Sequence, residues 1–120
     1  MSRQKPINDN IPTPDWLIRP FLKAGFFDPY ILGSDNVREP PQGADIFANG
    51  GFSKSDQVVE DCIRWHQEGH YVALLMPIES STRRAKRLIQ YGCKRMYFER
   101  RVWPGCRGVE LIILTGDSDV

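Results

Sequence analysis

The segment best suited to chemistry consists of Asn49, Gly50, Gly51 and Phe52. It follows an apolar, strand-forming stretch and precedes a helix-forming one. A side-chain amide, a backbone carbonyl and an aromatic ring could hold a flat heterocycle, with Asn49 at its polar edge and Phe52 against its face. The alternative is a Gly-Gly turn from strand to helix, with Phe52 in the core.

Two other groups of residues lie at the ends of predicted strands. Asp28 and Pro29 end the stretch "FFDP", and Pro77 is followed by Ile78 and Glu79 after "YVALLM". Ligands of open α/β sheets bind beyond the carboxyl ends of the strands, so a site is expected where these residues meet. The alternative for Asp28 is the cap of an Asp-Pro turn.

Other kinds of site are disfavoured. The sequence has neither GxGxxG nor GxxxxGK[ST], so no dinucleotide or nucleoside-triphosphate loop is indicated. His66 and His70 are four residues apart, but Gly69 is expected to end the helix between them, so no metal site is predicted.

The charge of the chain is unevenly distributed, although its net charge is only +1. Residues 83–107 carry nine basic residues and one acid, a net of +8, and the rest carries seven basic residues and fourteen acids, a net of −7. Such a basic segment favours a polyanionic partner, and the alternative is a solvated helix face. The basic residues are Arg83, Arg84, Lys86, Arg87, Lys94, Arg95, Arg100, Arg101 and Arg107.

The pattern of apolar residues predicts the elements that must position these groups. Thr13 as N-cap and Pro14 in the first turn begin a helix that Pro20 divides into two pieces. Residues 53–70 form an amphipathic helix, and a third, basic helix begins at Ser80 or Ser81. Strands are predicted at "FFDP", "DIFAN", "YVALLMP", "RMYFE" and "VELIILTG". Helices that alternate with strands indicate an α/β fold with a parallel sheet.

These pieces, in this order, resemble the phage-type DNA N6-adenine methyltransferases, the Dam-like family of viruses and prophages. A Thr-Pro helix entry is present as "IPTPDWL", and a strand ending in Asp-Pro as "FFDP". The family's strand ending in Asn-Pro-Pro-Tyr corresponds to "IFANGGFSK". Its Leu-Leu-Pro strand and helix correspond to "ALLMPIESSTRRAKRLI", and its final strand pair with an Arg-rich loop to "MYFERRVWPGCRGVELIIL".

The resemblance implies a small, abbreviated Rossmann-like methyltransferase sheet, mostly parallel with an antiparallel C-terminal strand. It implies S-adenosylmethionine as cofactor and transfer of its methyl group to adenine N6 of double-stranded DNA. Asn49 and the Gly50 carbonyl would accept the two amino hydrogens, Gly51 would complete the corner, and Phe52 would stack on the flipped base.

The same resemblance implies the remaining contacts of the site. Asp28 would hold the methionine ammonium, and Thr13, Pro14 and Pro29 would line the cofactor. The acid that holds the cofactor ribose in the family would be Glu39 or Asp35 in this chain. The residues implied for DNA are Arg83, Arg84, Lys86, Arg87, Arg100, Arg101 and Trp103.

Two features depart from the family pattern. Both prolines of the motif are glycine in this chain, which removes stiffness from the corner. The loop after Asp28 is short, which leaves little room for two further strands. The rival interpretation is therefore a catalytically inactive protein with the same fold that binds DNA or another protein. A third interpretation is a homodimer that pairs through "VELIILTG".

The sequence also predicts organisation and location. Residues 1–10 are expected to form a flexible arm without a signal peptide, and residues 11–120 a single methyltransferase-like domain. The longest apolar run is too short to span a membrane. Three cysteines without a CxxC pair indicate reduced thiols in the cytoplasm, the host's if the protein is viral.

Overall fold

The computed structural model describes residues 14–30, 37–49, 55–79, 81–98 and 108–117, and the structural statements below concern these residues. They form a small α/β domain with three helices and one four-stranded sheet. The elements are α1 (Asp15–Lys23), β1 (Ile46–Ala48), α2 (Ser55–Gln67), β2 (Val72–Pro77), α3 (Arg83–Tyr91), β3 (Cys93–Tyr97) and β4 (Val109–Leu114). The predicted arm, residues 1–10, lies outside the described residues.

The sheet is mixed, with the strand order β1-β2-β4-β3. β1 and β2 are parallel, whereas β4 is antiparallel to both β2 and β3. The predicted antiparallel C-terminal strand is therefore present. β1, β2 and β3 run in the same direction and only the last strand, β4, is reversed, as expected. Because β4 lies between β2 and β3, two of the three strand pairings are nevertheless antiparallel.

The position of β4 also bears on the predicted dimer. A strand needs a free edge to pair with a second copy, and β4 has a neighbour on each side. β4 is therefore not an edge strand among the described residues, and the predicted homodimer stays a prediction.

The predicted "FFDP" strand is reduced to a single bridge, because Phe27 pairs in parallel with Ile46. The Phe27 amide donates to the Asp45 carbonyl at 2.7 Å, and the Phe47 amide donates to the Phe27 carbonyl at 3.0 Å. Pro29 has no amide hydrogen, so the ladder cannot continue past it. Phe27 thus extends the sheet beside β1 by one residue.

The sheet lies between α1 on one face and α2 with α3 on the other. Leu17 of α1 packs with Leu75 and Val109, whereas Leu74 and Ile112 face the side covered by α2 and α3. All six residues of β2 are buried, as the continuous apolar run predicts for a strand covered on both faces.

Two helix boundaries differ from the predictions. Thr82, rather than Ser80 or Ser81, caps α3, because its hydroxyl accepts from the Ala85 amide at 3.2 Å. α1 runs unbroken through Pro20, which is exposed, while Leu17 packs on the sheet. Of the described helices, none is long and apolar enough to cross a membrane.

Candidate active site at the carboxyl edge of the sheet

Three segments of the chain end toward the same edge of the sheet. Asp28 follows the Phe27 bridge, Asn49 follows β1, and Glu79 lies two residues beyond β2. The parallel pairing of Phe27 with Ile46, and of β1 with β2, brings these carboxyl ends to the same side. Asn49 is half-buried there. Gly50, Gly51 and Phe52 lie outside the described residues.

Asp28 is a half-buried carboxylate with no ion pair to another described residue. Its Oδ1 accepts from the Tyr30 amide at 3.1 Å, which closes an Asx turn. Burial raises the pKa of Asp28 above its ordinary value, while the Tyr30 hydrogen bond and the nearby Arg38 charge act in the opposite direction. The predicted turn-cap role is therefore present, and the carboxylate carries a desolvation cost that a cationic ligand could relieve.

The Arg38 side chain bonds to the backbone of the turn at Asp28. Its guanidinium donates to the Asp28 carbonyl and lies over the Phe27 ring, 4.8 Å from the centroid. Its own amide donates to the Pro29 carbonyl at 2.8 Å, and Pro29 is fully buried. Pro29 therefore stabilises the turn from within the fold.

Pro14 is the N-cap residue of α1, whereas the sequence predicted that Pro14 would lie in the first turn. The Pro14 carbonyl accepts from the amides of Leu17 and Ile18. The extended conformation of Pro14, with ψ 143°, explains why the helix begins only at the next residue. Thr13 lies outside the described residues.

Sequence reasoning did not identify the side chains that fasten the Asp28 turn to α2. The Tyr30 hydroxyl donates to Asp61 Oδ2 at 3.1 Å, and Gln57 Nε2 donates to Asp61 Oδ1 at 3.0 Å. Asp61 is only 8% exposed although it is charged. A carboxylate next to the apolar pair Cys62 and Ile63 on an amphipathic helix was the available signal, but its partner lies in a loop 31 residues away.

Glu39, one candidate for the cofactor ribose, is engaged with α2 instead. Its Oε1 accepts from Trp65 Nε1 at 3.5 Å and lies 3.5 Å from Arg64 Nη1. The side chain is largely exposed. The other candidate, Asp35, lies outside the described residues.

The basic helix α3 uses half of its predicted DNA contacts internally. Arg84 makes a two-point pair with Glu79, with Nε–Oε1 at 2.5 Å and Nη2–Oε2 at 3.0 Å, and reaches Asp56 at 3.1 Å. Arg87 pairs with Glu60 at 3.2 Å.

Arg83 and Lys86 are exposed and make no ion pair with another described residue. They are therefore the cations of α3 that remain available to a phosphate backbone. The other predicted contacts, Arg100, Arg101 and Trp103, lie outside the described residues.

A buried ion pair lies beneath α3. Arg95 of β3 binds both oxygens of Glu110 at 2.7 Å, and its Nη2 also donates to the Glu79 carbonyl at 2.8 Å. Glu110 is 1% exposed. The two-point hydrogen bonds hold the pKa of Arg95 well above its usual range. This pair connects β3 and β4 to Glu79, two residues beyond β2.

The cavity beside this ion pair is too small for a cofactor. It has a volume of about 10 Å³, room for about one water, and Glu79, Arg95 and Glu110 are among its lining residues. A shallow groove along α1, lined in part by Trp16 and Lys23, is open to solvent. Neither includes Asp28 or Asn49, so the candidate site rests on the convergence of strand ends.

Metal binding has no support among the described side chains, in which no group of three His, Cys, Asp and Glu residues could hold an ion. His66 Nδ1 is bonded to the Tyr91 hydroxyl at 2.5 Å, and His70 Nδ1 to the Ala44 carbonyl at 2.7 Å. The two imidazoles therefore have separate structural partners.

The geometry is a carboxylate and a side-chain amide at neighbouring strand ends, with a basic helix beginning at the same edge. No family model, curated protein or solved structure matches this chain.

Proposed function

We propose that this protein is an S-adenosylmethionine-dependent DNA adenine-N6 methyltransferase of viral or prophage type. The observation that carries the proposal is the parallel bridge between Phe27 and Ile46. Because these two neighbouring segments run in the same direction, Asp28 and Asn49, which follow them, lie toward the carboxyl edge of the sheet. The assignment implies a cytoplasmic location, in the host cell if the protein is viral.

Asp28 fits the cationic end of the cofactor. Its carboxylate is half-buried and has a raised pKa because of that burial, so an ammonium group beside it would compensate a cost that the fold already bears. Pro29, which follows Asp28 in the chain, and Pro14, at the start of α1, would line the cofactor. S-adenosylmethionine supplies the methyl group as an electrophilic sulfonium when it is bound.

Asn49 fits the amino group of the substrate. Its side-chain oxygen and the Gly50 carbonyl would accept the two N6 hydrogens, which leaves the nitrogen lone pair directed at the methyl group. Phe52 would stack on the flipped base, a contact worth about 1–3 kcal/mol in single-strand binders. Double-stranded DNA would be held through Arg83 and Lys86 on α3, together with Arg100, Arg101 and Trp103, which lie between β3 and β4 in the sequence.

Transfer of a tritiated methyl group to unmethylated DNA tests this assignment. The wild-type protein is expected to label adenine N6, and Asn49→Ala is expected to lower kcat at least about a hundredfold, because misplacing the reacting nitrogen by about 1 Å costs that much. Asp45→Asn is the matched control, since Asp45 lies at the amino end of β1 and its side chain is exposed. Absence of label with the wild-type protein would exclude the enzymatic function.

A second candidate function is a non-catalytic DNA- or protein-binding module with the same fold. The specific observation in its favour is the antiparallel bridge between Tyr30 and Val37, which returns the chain directly after Asp28 instead of leading into further strands of the sheet.

Changing Gly50 and Gly51 to proline separates the two functions. An enzyme should retain or gain activity, because proline restores stiffness to the corner. A binding module should show no methyl transfer, yet it should bind DNA in a salt-dependent way that weakens when Arg83 is replaced by Gln.

A further inference from the structure

Tyr30 bonds to the candidate site and to α2 at the same time. Its amide donates to Asp28 Oδ1 at 3.1 Å, and its hydroxyl donates to Asp61 Oδ2 at 3.1 Å. We propose that Tyr30 is a positioning residue that holds the Asp28 carboxylate in place for a cationic ligand. This inference rests on the proposed function for the identity of the ligand.

The α2 end of this connection is firmly held. Asp61 is almost fully buried, accepts a second hydrogen bond from Gln57 at 3.0 Å and lies 3.7 Å from Arg64 Nη2. A hydrogen bond to a buried carboxylate is stronger than one between neutral groups, because the acceptor is charged and water is excluded. The Tyr30 hydroxyl is therefore fixed to α2.

Further contacts keep the Tyr30 segment against α2. The Tyr30 ring lies 6.0 Å from the Trp65 ring, and Glu39 accepts a hydrogen bond from the same tryptophan. Tyr30 also forms the antiparallel bridge with Val37. These contacts, together with the Tyr30–Asp61 hydrogen bond, hold the turn against α2.

The helix to which the Tyr30 hydroxyl bonds, α2, also follows Asn49 in the sequence. α2 begins at Ser55, six residues after Asn49. Asp28 is therefore connected to α2 through the Tyr30 side chain, and Asn49 precedes the same helix in the sequence.

Tyr30→Phe removes only the hydroxyl and is the direct test, with Tyr91→Phe as the matched control. Tyr91 also bonds through its hydroxyl, to His66, but it lies at the end of α3 rather than at the carboxyl edge. Calorimetry with S-adenosylhomocysteine should give a Kd for Tyr30→Phe about tenfold above that of the wild type, and no change for Tyr91→Phe. With saturating cofactor, kcat should change less than about threefold, because the acceptors for the amino group are intact.

Hydrogen exchange followed by NMR gives a readout that does not require activity. The amide of residue 30 should exchange at least about tenfold faster in Tyr30→Phe, because its acceptor Asp28 is less firmly held. Asp61→Asn leaves Tyr30 intact and keeps an oxygen acceptor, so a smaller change in the same direction is expected.

Each outcome decides one of the two proposals. If the wild type does not bind the cofactor analogue, the proposed function fails, and the exchange rate alone decides whether Tyr30 fastens Asp28. If both the affinity and the exchange rate of Tyr30→Phe equal those of the wild type, the positioning role is overturned.

Discussion

A buried carboxylate, Glu110, and a half-buried one, Asp28, have opposite surroundings. Glu110 lies beneath α3 and binds the Arg95 guanidinium with both oxygens. Asp28 lies at the carboxyl edge, where it accepts one backbone amide and has no ion pair to another described residue. The Arg38 guanidinium nearby is directed to the carbonyl of Asp28 rather than to its carboxylate.

This difference distinguishes Glu110, whose charge is paired within the fold, from Asp28, which is a candidate for binding a ligand. Removing one partner of a buried ion pair destabilises the native state strongly, because the other charge is left buried without compensation. A partly buried carboxylate without a counter-cation is disfavoured by desolvation, and perturbed groups of this kind cluster at functional sites. Glu110 is therefore expected to matter for folding, and Asp28 for binding.

The largest expected effect is on stability, at Glu110. Glu110→Gln removes the charge and leaves the Arg95 guanidinium partly buried without its partner, so the free energy of unfolding should fall by about 3 kcal/mol. Glu60→Gln is the control, because Glu60 is 55% exposed and its pair with Arg87 is worth less than about 1 kcal/mol. Urea denaturation of both variants checks this, and equal losses would contradict the contrast.

A second prediction concerns the two neighbouring arginines at the start of α3. Arg84→Gln breaks the two-point pair with Glu79 and should cost about 1–3 kcal/mol of stability, as for hydrogen bonds between charged groups. Arg83→Gln should leave stability unchanged, because Arg83 is exposed.

DNA binding should separate the same two variants in the opposite sense. Arg83→Gln should lower the slope of log K against log salt by about one, whereas Arg84→Gln should not alter it. A reduced slope for Arg84→Gln would show that Arg84 exchanges its internal partners for phosphate.

The sequence predicted the parts of the fold that depend on local patterns. The continuous apolar run of β2 indicated a strand buried on both faces, and Gly92, with φ 112°, ends α3 as expected. The insertion of β4 between β2 and β3 was not predictable in this way, because strand order depends on pairing between distant segments. The cap of α3 was misplaced because several hydroxyl residues stand in a row before the helix.

The site was predictable only at the strand ends. Asp28 and Asn49 could be identified because polar residues that follow strands converge at one edge. Tyr30 and Asp61 could not, because one lies in a loop and the other on a helix, and only the folded chain brings them together. Charge alone also overstated the DNA surface, since it does not show that Arg84 and Arg87 have acidic partners on α2 and after β2.

A third prediction tests the corrected cap, which belongs to the same structural cluster as Glu79. The Thr82 hydroxyl accepts from the Ala85 amide and donates to Glu79 Oε1 at 3.0 Å. Thr82→Ala should therefore lower the free energy of unfolding by about 1 kcal/mol. Ser81→Ala is the control and should have no effect in thermal unfolding, because Ser81 is exposed.

The smallest expected effect is a gain in stability at Asp28. Burial raises the pKa of the Asp28 carboxyl above its ordinary value of 3.8, so the folded state binds a proton more tightly than the unfolded state. The extra stability that the protonated Asp28 carboxyl gives the folded state is fully present below pH 3.8. It is lost as the pH rises through the pKa that Asp28 has in the folded state.

Asp28→Asn keeps an oxygen for the Tyr30 amide and removes the charge. The variant should therefore equal the wild type in acid and be slightly more stable at neutral pH. Urea denaturation between about pH 3 and about pH 7 checks this sign. A variant less stable than the wild type at neutral pH would show that the Asp28 charge is already compensated within the fold.

Calorimetry with S-adenosylhomocysteine tests the central claim most directly, because this analogue carries the same ammonium group without the reactive methyl. The wild type and Asp45→Asn are expected to bind alike, and Asp28→Asn at least about tenfold more weakly, a loss of about 1.4 kcal/mol. Binding to the wild type should also weaken as the pH falls through the pKa of Asp28, because only the carboxylate attracts the ammonium. Equal affinity of Asp28→Asn and the wild type, or no binding to the wild type, would contradict the account.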